Sequence, residues 1–65
     1  MIPMSVGEML QVYLKTLELE QLKERGALLE YEYHVDRNEQ GEIVMNIKFS
    51  LPKLPEFVQL GPIVV

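Results

Sequence analysis

Cysteine and tryptophan are missing from this chain, histidine occurs once, and lysine and arginine together number 6 against 10 acidic residues. Each shortage removes something. Without cysteine there are no disulfides, no thiolate ligands and no cysteine nucleophile. With His34 the lone imidazole, a conventional zinc site has too few ligands. The composition therefore leads us to expect no metal and no cofactor. Absence of cysteine also fits a cytoplasmic setting. A net charge of −4 opposes direct nucleic-acid binding and adhesion to anionic membranes. No apolar run reaches the roughly 18 residues of a membrane span. No basic stretch followed by an apolar one marks a secretory leader. The glycines are isolated, so no phosphate-cradling loop is present. Ser5, Thr16 and Ser50 have no histidine beside them in sequence.

What the chain has is apolar content. At 48% hydrophobic it is too apolar to stay disordered. Its 65 residues make one small domain, a size that buries only about 60% of the unfolded surface. With disulfides excluded and a conventional zinc site nearly so, oligomerisation is the remedy left for so small a core. A homodimer is the expected state.

The stretch from Ala27 to Leu51 alternates with period two. Ala27, Leu29, Tyr31, Tyr33 and Val35 share one face of a first strand, and Leu28, Glu30, Glu32, His34 and Asp36 share the other. Ile43, Met45, Ile47, Phe49 and Leu51 repeat the pattern in a second arm. This predicts half-buried strands over about 27–36 and 42–51. Apolar faces must coincide across the pair, which excludes even-length loops. A three-residue loop, Glu39-Gln40-Gly41 with Gly41 left-handed, then pairs Tyr31 with Phe49, Tyr33 with Ile47, Val35 with Met45 and Glu32 with Lys48.

Ahead of the hairpin, Ser5-Val6-Gly7-Glu8 reads as a capping box after the apolar lead Met1–Met4. A helix is predicted over about 6–25, with Gly26 just past its end. Val6, Met9, Leu10, Tyr13, Leu14 and Leu17 form a broad stripe, expected to pack on the hairpin. Val12, Leu19 and Leu22 form a narrower set, expected to meet another subunit or the tail.

The tail, 52–65, carries three prolines, which argue against a long helix or a central strand. Pro55 suits the first position of a single helical turn over Glu56–Leu60. Ile63-Val64-Val65 is suited to edge pairing, with this sheet or a neighbour's. Pro52-Lys53-Leu54-Pro55 matches a minimal polyproline ligand, but a stiff connector is the plainer reading.

The sequence thus predicts an α+β fold: an N-terminal helix, an antiparallel hairpin and an ordered apolar tail, completed by oligomerisation. The functional expectation is a small acidic protein-interaction module (adaptor, inhibitor or accessory subunit), not an enzyme. It would self-associate through Val12, Leu19, Leu22, Phe57, Leu60, Ile63 and Val65. An unidentified protein partner would meet the acidic face Glu30, Glu32, His34 and Asp36. Two alternatives use that face differently: a nucleic-acid mimic blocking a DNA-binding protein, and an interfacial enzyme or metal binder built on His34.

Overall fold

The computed structural model describes residues 2–65, so Met1 of the apolar lead lies outside the described residues. A helix, α1 (Val6–Glu24), precedes three strands, β1 (Glu30–Arg37), β2 (Ile43–Leu51) and β3 (Leu54–Val64). The strands form one antiparallel sheet in the order β1-β2-β3. The fold is α+β, as the sequence predicts.

Both helix ends follow from local chemistry. The Ser5 side chain accepts from the Glu8 amide at 3.2 Å, and Glu8 Oε1 accepts from the Ser5 amide at 2.9 Å. This reciprocal pair satisfies two amides that the first turn leaves without helical partners. At the other end Gly26 adopts φ +76°, and the Ala27 amide reaches back to the Leu22 carbonyl at 2.9 Å. That closure frees the chain to reverse toward β1.

The hairpin has the register expected from parity. Tyr31 faces Phe49, Tyr33 faces Ile47, Val35 faces Met45 and Glu32 faces Lys48. Gly41 takes φ +79° in the turn. Asn38 Oδ1 holds the loop by accepting from the Gln40 and Glu42 amides at 3.0 and 2.8 Å.

The alternation does not extend back to Ala27. Leu28 is buried in the core while Leu29 is 56% exposed, the reverse of their expected faces. The helix cap carries the chain through Ala27, and strand geometry begins only at Glu30. The period-two rule therefore has no hold on residues 27–29.

The tail departs further from expectation. No helical turn forms over Glu56–Leu60; instead Leu54–Val64 pairs with β2 as an edge strand. Its prolines are accommodated at irregularities of the ladder. Met45 pairs with Ile63 and Ile47 with Leu60, so Gly61 and Pro62 are two residues opposite Asn46 alone. A bulge tolerates a residue without an amide hydrogen. Gly61 is required there, because a Cβ would lie 2.6 Å from the Met45 carbonyl oxygen at φ +126°. Pro55 and Glu56 are the extra residues at the second shift, between Ser50 and Leu51.

The core is built on the central strand. Met45 and Ile47 are almost fully enclosed and cluster with Leu19 of α1 and Leu28. Val12, Tyr31, Val35, Phe49, Leu51, Ile63 and Val65 pack around them, partly buried. The contrast at the start of β1 gives a direct check. Leu28→Ala is expected to cost about 2–5 kcal/mol, and Leu29→Ala about 0.5 kcal/mol or less, in urea unfolding. Equal losses would contradict the observed facing of these two residues.

Candidate functional site

The helix meets the sheet through Glu8, Val12 and Leu19, which fall on one helical face. Val12 and Leu19 join the core. The broad stripe points away from it: Val6 is 70% exposed, Leu17 is 38% exposed, and Met9, Leu10, Tyr13 and Leu14 fall between. The broad stripe thus exchanges its expected place against the hairpin with Val12 and Leu19, which pack with Ile63 and Val65 of the tail as one of the expected alternatives had it, while Leu22 stays exposed.

Polar contacts explain the exchange. The Arg37 guanidinium at the end of β1 forks onto Glu8, with Nη1 donating to Oε2 at 3.1 Å and Nη2 to Oε1 at 3.0 Å. The same group donates to the carbonyls of Gly41 at 2.6 Å and Pro3 at 2.8 Å. One cation thus joins the first helical turn, the N-terminal lead and the hairpin loop. A bidentate guanidinium–carboxylate pair fixes orientation as well as distance. Farther along, the Tyr31 hydroxyl donates to Glu20 Oε2. These two ties come from β1 and meet α1 near its start and near its end. Together they turn Val12 and Leu19 inward and leave the broad stripe in solvent.

The electrostatics agree. The Arg37 hydrogen bonds and the Ser5 amide hold the Glu8 carboxyl at about 2, below its ordinary 4.5. Glu8 in turn raises the Arg37 pKa. The Glu20 carboxylate, with some desolvation, raises that of Tyr31.

The residues named from sequence for self-association do not form one surface. Val12 and Leu19 lie inside, and Ile63 and Val65 are half-buried against the core. Leu22 and Leu60 are exposed, on α1 and β3 respectively. Phe57 opposes Ser50 and lines a shallow depression with Leu29, Glu30 and Leu54. The expectation that the broad stripe packs on the hairpin is corrected by the same geometry.

Glu30, Glu32, His34 and Asp36 do share a face of β1, and all four are exposed. Their row is not purely acidic, since Lys48 stands opposite Glu32 and Asn46 opposite His34. Glu32, Tyr33, His34, Asn46, Lys48 and Gln59 line a shallow depression on the sheet. Among the described residues, no three His, Cys, Asp or Glu side chains converge on a possible metal position. No described helix is long and apolar enough to cross a membrane.

The surface that sequence reasoning misplaced is the outer face of α1. Its periodicity was visible; its direction was not. The available signal was Glu8 at the inner spacing, a carboxylate able to hold a cation from the hairpin. Comparison with protein-family models, curated proteins and solved structures gives no match. The chain is defined by its own architecture: an α-β-β-β protein with an uncovered apolar helix face.

Because the Glu8 pKa is depressed on folding, its stabilising contribution is complete above about pH 4.5 and lost as pH falls through about 2. Urea midpoints measured from about pH 5 to 2 should decline less in Glu8→Gln than in the parent protein. Parallel decline would show that Glu8 is not held low by Arg37.

Proposed function

We propose that this chain is a small acidic protein-interaction module, acting by presenting surface to polypeptide chains. The observation that carries this reading is the outer face of α1: six apolar side chains, all at least 38% exposed, on a capped helix tied to the sheet at both ends. Scattered apolar side chains are normal on a surface, but a contiguous patch on a rigid element marks an interaction site. Helix faces of this kind dock through anchors at i, i+3, i+4 and i+7, a spacing that Val6, Met9, Leu10 and Tyr13 supply.

The acidic sheet face is the secondary surface of this reading. It has mixed polar chemistry, with Lys48 and Asn46 among its acids, which suits a protein contact better than imitation of a phosphate backbone. The cysteine-free composition is in keeping with work in the cytoplasm.

Leu10→Lys combined with Tyr13→Lys tests the surface without touching the core. Far-UV circular dichroism and thermal midpoint should stay near those of the parent, since both side chains are exposed. In sedimentation of native-cell extracts, the parent should travel in an assembly larger than its 7.5 kDa monomer, and the variant as the monomer. Identical sedimentation of the two would refute the assigned surface.

A further inference from the structure

We infer that the occupant of the outer helix face is a second copy of this chain, its helix running antiparallel across the first. The inference rests on the interaction-module reading and names its partner. Three observations carry it.

The first is the spacing. Val6, Met9, Leu10, Tyr13, Leu14 and Leu17 are separated by three, one, three, one and three positions. That order is the same read from either end. A two-fold axis between Gln11 and Val12 therefore places Val6 against the partner's Leu17, Met9 against the partner's Leu14 and Leu10 against the partner's Tyr13. A two-fold interface needs this self-complementarity, with each residue meeting a suitable one in both directions. Two large side chains, Leu10 and Tyr13, then lie at the centre, where anchoring residues contribute most.

The second is charge. Beyond Leu17 the same helical face continues as Glu20, Gln21 and Glu24, with Glu20 at its margin and its carboxylate already accepting from the Tyr31 hydroxyl. A parallel copy would set these glutamates against their own counterparts. An antiparallel copy sets them beside the start of the other helix, where unpaired amides form the positive end of its dipole. The acid near that start, Glu8, lies on the inner side and is already held by Arg37.

The third is area. The chain exposes 4913 Å², whereas a folded monomer of this mass exposes about 4,200 Å². The excess, about 700 Å², approaches the roughly 800 Å² that each partner of a standard stable interface buries. The sheet covers the opposite side of α1, so a second helix can approach the outer face with the two sheets outermost.

Absence of native cysteine makes the arrangement directly readable. Light scattering of the intact chain should give twice 7.5 kDa at about 100 μM, and Leu10→Glu should weaken association at least tenfold with an unchanged circular dichroism spectrum. Under mild oxidation, a mixture of Val6→Cys and Leu17→Cys chains should form the mixed disulfide, and Val6→Cys alone should not link to itself. Self-linking of Val6→Cys would overturn the antiparallel order, and a dimer indifferent to Leu10→Glu would overturn the interface. A monomer at every concentration would overturn the second copy as occupant. A photo-crosslinker at Tyr13 in native cells then separates the two failures. An adduct with a foreign protein leaves the interaction-module reading standing, and no adduct removes both.

Discussion

The Arg37–Glu8 fork decides which side of the helix becomes the inside. Arg37 ends β1, Glu8 sits in the first turn of α1, and the guanidinium also takes the carbonyls of Pro3 and Gly41. An exposed ion pair alone contributes little to stability. This one shares its carboxylate with the capping box and its cation with the hairpin turn, so one group sets several geometries together. With Glu8 held inward, Val12 and Leu19 follow on the same face, and the Tyr31–Glu20 bond repeats the constraint downstream. The broad apolar stripe is thereby committed to solvent.

That commitment shapes the whole molecule. The enclosed core is small, centred on Met45 and Ile47 with Leu19 and Leu28. The radius of gyration is 12.7 Å, against about 10.7 Å for a compact chain of this length. A single helix laid on a three-stranded sheet makes two layers, and here the helix layer is apolar on both sides. Such a layer belongs between two others. The proposed stacking of a second helix on it would join two thin, extended domains into one four-layered body.

How much of this could be read from the residues depends on how many independent constraints each element carried. The hairpin register was legible because parity, loop length and Gly41 all had to agree, and a slip by one would expose Tyr31, Ile47 and Phe49 together. The helix ends were legible because Ser5, Glu8 and Gly26 each have a specific geometric role. Leu28 was misread because the helix cap, not strand pleat, governs the residues just after Gly26. β3 was foreseen only at its end, where Ile63 and Val64 pair with β2, because prolines at positions 55 and 62 argue against a strand unless register shifts receive them, and a shift is a property of the paired ladder. The facing of α1 was misread for a different reason. The rule that the larger apolar stripe faces the core assumes that the core lies within one chain. Here the larger stripe faces outward while Glu8 is tied to Arg37 on the inner side, and the local hint of this is only the placement of Glu8 at the inner spacing.

Function follows from the same geometry. The most apolar face of the helix points outward, and that exposure is what supports the proposed interaction-module reading. The acidic face of β1 is exposed on the side of the sheet away from α1, and the proposed pairing of helices would leave it uncovered.

The facing of α1 is the claim on which the account stands, and methyl nuclear Overhauser spectroscopy tests it most directly. Isotope filtering on mixed labelled and unlabelled chains separates contacts within a chain from those between chains. The account expects intrachain cross-peaks linking Val12 and Leu19 methyls to Met45 and Ile47, and none linking Leu10 or Leu17 to the sheet. Intrachain cross-peaks from Leu10 and Leu17 to Met45 or Ile47 would contradict it, placing the broad stripe inside and leaving no outer apolar face to explain.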